Sequence, residues 1–224
     1  MSVAKNIQDF LAQHVPDNVK LVAVSKTKPT ADIMEAYEGG YKIFGENKVQ
    51  ELVDKYHELP KDIEWHMIGH MQSNKVKYIA PFVHLIHGVD KFKLLKVINK
   101  EGAKHDRVIN CLLQFHIAEE QTKFGLDLEE AHEMLRSQAY AALTHVNVMG
   151  VMGMATFTEN HQKVRKEFKK LKTLFDDLKN NYFTNKQDFN QISMGMSNDY
   201  KIAIEEGATM IRIGSLLFGP RNYQ

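Results

Sequence analysis

A lysine closes the run "KLVAVSK" (20–26), in which Leu21, Val22, Ala23 and Val24 read as a buried strand and Pro29 with Thr30 opens the next turn. Lysine is among the side chains least often buried, and a lone lysine at a strand end most simply snorkels to solvent. Groups far down the chain change that balance. Ser197, in "SMGMSND" (193–199), stands at or beside the N-cap of a helix carrying Ile202 and Ala203. The unpaired N–H groups and partial positive charge of such an end suit a phosphate. Gly214 and Ser215 follow another apolar run, with a glycine that lets an anion approach the backbone and a hydroxyl beside it. Taken singly, Ser197 is an N-cap and Gly214 a tight turn; taken together they favour a phosphate cup. Arg212 lies two residues before Gly214, on the same side of a strand. Among Met210, Ile211 and Ile213 it needs either a buried partner or a ligand.

An amine, a phosphate cup and an inward arginine fit pyridoxal 5′-phosphate (PLP) held as an imine on Lys26, with Arg212 at the ring nitrogen. Partial burial lowers a lysine pKa and frees the amine for that condensation. A Schiff-base aldolase would use the same lysine and cup, but leaves Arg212 without a task.

The elements that must position these residues are eight short apolar runs: 20–25, 42–45, 64–69, 84–89, 108–116, 146–152, 191–195 and 210–215. They are short, rich in Val, Ile and Phe, and mostly continuous rather than alternating, which predicts parallel strands buried on both faces. Helical stripes lie between them. Thr30 caps one with Ile33, Ala36 and Tyr37; Val49, Leu52, Val53 and Tyr56 form another; Val76, Ile79 and Ala80 precede Pro81. Val164, Phe168, Leu171, Phe175 and Leu178 make the longest. This α/β alternation predicts one (β/α)₈ TIM barrel domain over residues 1–224, with an extra N-terminal helix over 1–18. An open doubly wound sheet would need a Gly-rich first turn that "SKTKPT" lacks. In a barrel, Lys26, Ser197, Gly214 and Ser215 all fall at the carboxyl ends of strands, where such folds build their sites.

Among 224 residues, 29 Lys and Arg balance 28 Asp and Glu, which argues against nucleic acid or an acidic membrane as the partner. The single Cys111, inside "VINCLLQF", reads as a buried small hydrophobe and excludes an internal disulfide. With no signal-peptide core and no apolar run of spanning length, a cytoplasmic location is expected.

"LVAVSKTKP", "FGENKVQE", "WHMIGHMQSNK", "GVMGMATF" and "SMGMSNDYKIAIEEGATMIRIGSLLFG" together resemble the pyridoxal phosphate homeostasis proteins, the YggS/PROSC family. The resemblance covers nearly the whole chain in order. It implies a fold-type III PLP barrel related to the N-terminal domain of alanine racemase, with Lys26 as the imine lysine. It further implies Ser197, Gly214 and Ser215 at the phosphate, Arg212 at the pyridine nitrogen and Asn47 as another pocket residue. Gly88 stands where many relatives have serine, and Gly214-Ser215 where Gly-Thr is commoner.

The resemblance also implies a role in PLP, vitamin B6 and amino-acid homeostasis; beside it, apo PLP-dependent enzymes are the expected partners and a monomer, with a dimer as the alternative, the expected form. Electrostatics agree. Two unit charges about 4 Å apart repel by roughly 4 kcal/mol at an effective dielectric near 20, about three pKa units against protonating the ring. Arg212 therefore makes the cofactor a weak electron sink and disfavours transamination. Racemisation is the enzymatic alternative; it needs a proton-transferring group on each face of the substrate carbon. Alanine racemase takes its second group from a further domain, for which no residues follow "FGPRNYQ", and Tyr223 is too near the end to replace it.

Other residues have plainer readings. His66 and His70 are spaced like metal ligands, but on a strand with no completing carboxylate or cysteine nearby, so pocket lining or hydrogen bonding is expected and no metal. Trp65 reads as core, and the methionines of "GVMGMA" and "SMGMS" as barrel interior, with packing against the cofactor ring the alternative for those at strand ends. Lys123 and Gly125 read as a turn or a ligand contact. Lys28, Lys48 and Lys75 are candidates for holding PLP transiently.

Overall fold

The computed structural model describes residues 2–119 and 124–220. Eight parallel strands close into a barrel in sequence order: β1 (Lys20–Val24), β2 (Ile43–Glu46), β3 (Glu64–Met67), β4 (Leu85–Val89), β5 (Ile109–Gln114), β6 (Val146–Met152), β7 (Gln191–Ser193) and β8 (Met210–Ile213). The last pairs with the first, Val22 opposite Arg212. Each expected strand is present, with ends that differ by up to two residues.

The helices are α1 (Val3–His14), α2 (Thr30–Glu38), α3 (Val49–Glu58), α4 (Val76–Ile79), α5 (Phe92–Lys104), α6 (Leu128–Arg136), α7 (Gln138–Ala141), α8 (His161–Tyr182), α9 (Tyr200–Glu205) and α10 (Ser215–Phe218). The extra α1 packs on α2 and α10. Thr30 is the first helical residue rather than the cap, which falls on Pro29. Ser2 and Asn160 cap α1 and α8 through their side chains, and Asp127 with Glu130 forms a capping box on α6. The stripe of α8 is buried as its spacing requires, with Val164, Phe168, Leu171 and Leu178 against the barrel.

The pleat divides the barrel interior into layers. Leu21, Ala23, Phe44, Trp65 and Cys111 face the helices in the main core. Val22, Leu85, Leu112, Met152 and Met210 form a separate apolar cluster inside the barrel. One pleat step further along each of those strands, at two residues' remove, stand Val24, His87, Gln114, Met154 and Arg212. The interior thus turns polar on approaching the carboxyl ends. There Arg212 Nη1 donates to Ser193 Oγ at 2.5 Å and Nη2 to the Gly153 carbonyl at 3.3 Å. His87 Nδ1 meets the same serine oxygen at 2.9 Å, and His87 Nε2 meets His66 Nδ1 at 2.9 Å. The chain Arg212–Ser193–His87–His66 ties β8, β7, β4 and β3 together through the interior.

Burial holds both histidines neutral: it depresses the His66 pKa to about 3 and pushes that of His87 well below its ordinary value. A depressed histidine contributes its full share of stability above the unfolded pKa near 6.5 and loses it as pH falls, because only the unfolded chain takes up the proton. Each costs about 1.4 kcal/mol per pH unit in that window. Denaturant midpoints should therefore fall steadily from pH 6.5 towards the acid limit, and His87→Gln should remove roughly half of the slope. An unchanged slope in that variant would contradict neutral burial.

Candidate functional site

The β1–α2 turn aims Lys26 by holding the residues on either side of it. Thr27 adopts a left-handed backbone, φ 63°, which costs a residue with a side chain roughly 1–2 kcal/mol. Its N–H donates to Glu51 Oε1 at 2.6 Å. On the other side, Ser25 Oγ donates to Glu46 Oε1 at 2.6 Å. The buried ammonium of Lys55, on α3, joins the two: it donates to the Ser25 carbonyl at 2.8 Å, to Glu46 Oε1 at 2.8 Å and to Glu51 Oε1 at 2.7 Å. Desolvation raises the Glu46 pKa, and Lys55 and Ser25 oppose that rise. With Ser25 and Thr27 pinned to the β2–α3 unit, half-buried Lys26 faces the barrel mouth.

That mouth holds a cavity of about 440 Å³ lined by Lys26, Asn47, Ser197, Arg212, Gly214 and Ser215, the six residues expected from sequence, together with Gln114, Phe124 and Met154 among others. The size falls in the range of small-molecule and cofactor sites. Arg212 forms part of the inner wall, and burial lowers its pKa to about 10, with Asp199 opposing. It is therefore charged at neutral pH. Ser197 begins the turn before α9 rather than capping it; the cap position is Asp199, whose carboxylate accepts from the Met196 N–H at 2.6 Å. Gly195 shapes this loop: its φ is +93°, an added Cβ would lie 2.6 Å from Ala203 Cβ, and its carbonyl accepts from the Arg212 N–H. Gly214 caps the short α10, so Ser215 and the backbone beside it begin a helical turn at the cavity rim.

Further groups line the mouth: His70 and the strand-end methionines in places the sequence allowed for, Gln114 and Phe124 with no signal in the sequence. His70 lines the cavity, stacks on Phe124 with centroids 4.1 Å apart, and lies 3.4 Å from Asp90. Gln114 Nε2 holds the Phe124 carbonyl at 2.9 Å. Met154 and Met196 also line the mouth. Lys28 reaches it too, but its ammonium donates to the carbonyls of Phe218 and Pro220. Lys48 precedes α3 and Lys75 lies over the Tyr78 ring; neither is part of the lining. Lys123 lies outside the described residues, and Gly125 is a left-handed turn packed on His116. Cys111 is buried, with its thiol pKa raised by desolvation, as a structural cysteine requires.

The two spaced histidines part company, His70 to the mouth and His66 to the interior chain. The expectation that no carboxylate stands near needs correction: Glu64, His66 and His84 place their ligand atoms within 4.8 Å of one another. Glu64 stands only two residues before His66 on the same strand, so the carboxylate was in view in the sequence; spacing could not show His84, which comes from the turn before the neighbouring strand. A groove of about 680 Å³ beside Tyr140, Tyr182 and Lys186 lies away from all strand ends that carry the six residues, and Lys186 there donates to the Val148 carbonyl.

Barrel and mouth together define the class, and residues 2–222 match the family described as alanine racemase, N-terminal domain. The chain belongs, within that class, to the pyridoxal phosphate homeostasis proteins. It is 42% identical over 205 residues to the protein of that name from Aquifex aeolicus (strain VF5), covering 91% of this chain and 88% of the relative. It is 34% identical over 212 residues to the one from Escherichia coli (strain K12), covering 93% and 88%. PipY of Synechococcus elongatus PCC7942, solved with PLP bound, superposes with a TM-score of 0.87 at 32% identity, covering 97% of this chain and all of that one. The alanine racemase of Bartonella henselae shares the fold, with a TM-score of 0.70 at 14% identity; this chain covers 59% of it.

Removing the Lys55 charge leaves Glu46 buried without its partner, a change that typically costs 3–5 kcal/mol. Lys55→Met should lower stability by about that much, and adding Glu46→Gln should recover part of the loss. Urea melts of the single and double variants measure both. An additive double variant would mean that the two groups do not act as a pair.

Proposed function

We propose that this chain binds pyridoxal 5′-phosphate through Lys26 and serves to hold and hand over the cofactor inside the cell, as a homeostasis protein without robust turnover. The observation that carries the reading is the convergence of Lys26, Arg212 and the loops after β7 and β8 on one cavity. The residues fit the group: a half-buried amine, a fixed guanidinium on the inner wall, and small and hydroxyl residues at the rim. Lys26 would hold the aldehyde carbon, Arg212 the ring nitrogen, Ser197, Gly214 and Ser215 the phosphate, and Asn47 a further edge. When bound, the cofactor supplies an aldehyde that takes up an amine.

The protein's own part is positioning. Ser193 and the Gly153 carbonyl fix Arg212 from behind, so its charge stays against the cavity and opposes protonation of a nitrogen placed there. Racemisation needs a second proton-transferring group opposite Lys26. The cavity lining contains no tyrosine among the described residues, Lys28 is engaged by two carbonyls, and His70 is stacked on Phe124 beside Asp90. Holding rather than turning over is the chemistry this set supports. Among the described residues no helix is long and apolar enough to cross a membrane. Apo PLP-dependent enzymes in the cytoplasm are the recipients we propose, with this chain acting as a monomer.

Borohydride reduction of the PLP-loaded protein, followed by peptide mass mapping, should place a pyridoxyl group on Lys26. Lys26→Ala should lose that adduct and the visible absorbance together. An adduct on another lysine in the native protein, or full absorbance in Lys26→Ala, would overturn the assignment. Alanine racemisation at rates typical of an enzyme, about 1 s⁻¹ or faster, would favour the racemase reading.

A further inference from the structure

We infer that the amino-terminal end of the barrel, opposite the cofactor mouth, carries a transition-metal site of zinc type built by Glu64, His66 and His84. The inference stands independently of the PLP reading, because none of these residues lines the mouth cavity.

The placement follows from strand geometry. Glu64 and His66 are two apart on β3, so both face the same side of the sheet. His66 pairs in register with Leu85, the first residue of β4, and the His84 N–H donates to the Trp65 carbonyl. His84 is thereby held at the foot of the neighbouring strand, its ring parallel to that of His66 with centroids 5.5 Å apart and 4° between planes. The three ligand atoms lie within 4.8 Å of one another, and His84 Nε2 is 3.5 Å from Glu64 Oε2. Bonds of about 2.0–2.1 Å in a tetrahedron put ligand atoms roughly 3.3–3.4 Å apart. The His84–Glu64 pair already has that spacing. Both side chains are nearly half exposed, so rotating them closes the remaining gap to His66 without moving the core.

A second, independent observation points to a ligand. His66 is 2% exposed, and its Nε2 is buried with no hydrogen-bond partner among the described residues. Such an orphan costs about 1–3 kcal/mol, and a bound cation would satisfy it. The other ring nitrogen is placed as metal-binding histidines require: Nδ1 lies 2.9 Å from His87 Nε2, and His87 Nδ1 2.9 Å from Ser193 Oγ. An outer partner of this kind fixes the tautomer and orients the ring. With Nε2 on a metal, Nδ1 carries the proton and donates to His87, and the chain to Ser193 runs in one direction. Two imidazoles and one carboxylate, with an open side towards solvent, suit Zn²⁺ and its neighbours Co²⁺ and Ni²⁺ rather than Mg²⁺ or Ca²⁺. The charges around the site are mixed. Lys20, on β1, acts on His66, and Glu64 also acts on Tyr41 and Lys42. The carboxylate offsets those ammonium groups.

Calorimetric titration of the tag-free, chelator-treated full chain with ZnCl₂ at pH 7.5 should show one equivalent bound, and CoCl₂ should give the visible spectrum of a low-coordinate Co²⁺ ion. His84→Ala and Glu64→Gln should each weaken binding by about tenfold or more, a scale at which even outer-shell changes register. Both variants should keep the PLP absorbance of the parent, which reports that the barrel is intact. Absence of a one-equivalent event at 100-fold excess Zn²⁺, or unchanged affinity in both folded variants, would overturn the site. Since His66→Ala could disturb the interior chain, the two exposed ligands carry the decision.

Discussion

The ammonium of Lys55 is the constraint on which the mouth depends. Buried beneath the first turn, it ties the Ser25 carbonyl, Glu46 and Glu51 into one knot, and Glu51 in turn holds the N–H of the left-handed Thr27. Ion pairs out of water contribute little net stability, because desolvating the charges offsets their attraction. What this one contributes is direction. With Ser25 and Thr27 both anchored to the following β–α unit, the residue between them has one way to face, and that residue is Lys26. A lysine at a strand end would otherwise sample solvent freely. Here the rest of the chain spends buried polar groups on restraining its backbone.

Arg212 is governed by a related logic at the other side of the cavity. Barrel interiors are ordinarily filled by stacked apolar layers, and one such layer is present in Val22, Leu85, Leu112, Met152 and Met210. One pleat step higher the filling becomes Arg212 and His87, both bonded to Ser193 Oγ. A guanidinium presents several donors in a rigid plane, so two can be spent backwards on Ser193 and the Gly153 carbonyl. The neutral histidines behind it add no competing charge. The apolar layer beneath keeps the interior packed, while the polar one gives the cavity a fixed positive wall.

Much of this was legible in the sequence, and the remainder was not for identifiable reasons. Eight apolar runs too short for helices, with helical stripes between them, specify a barrel almost by counting. Once the barrel is granted, Lys26, Ser197, Gly214 and Ser215 must share one end. Arg212 stood out because an arginine among Met210, Ile211 and Ile213 demands a partner. The partners themselves were hidden. Lys55 reads as an ordinary polar position on α3 until the fold brings Ser25, thirty residues away, above it. His87 and Ser193, 106 residues apart, meet only when the barrel closes. Gly102 lies inside α5, where an added Cβ would meet the carbonyls of Arg107 and His145 at 2.8 Å, a closeness that no local pattern signals. The short α10 was concealed because Gly214 and Ser215 look like a strand end, and only tertiary packing makes them a helical turn.

In the function proposed here, the features that suit this mouth to holding a cofactor also disfavour using one. The fixed guanidinium would keep positive charge where an electron sink needs a proton. The neighbouring Lys28 is committed to the carbonyls of Phe218 and Pro220, fastening the end of α10 to the β1–α2 turn. His70 is flattened against Phe124, which restrains it from swinging over the cavity. A site that must release its ligand gains from few moving parts and from a link that another amine can replace. A site that must turn a substrate over needs acids and bases on two faces of one carbon. Relatives named for homeostasis share this chain's sequence closely, whereas alanine racemase shares only the fold. The contrast follows the residues: the scaffold positions one lysine with care and leaves its other titratable side chains engaged elsewhere.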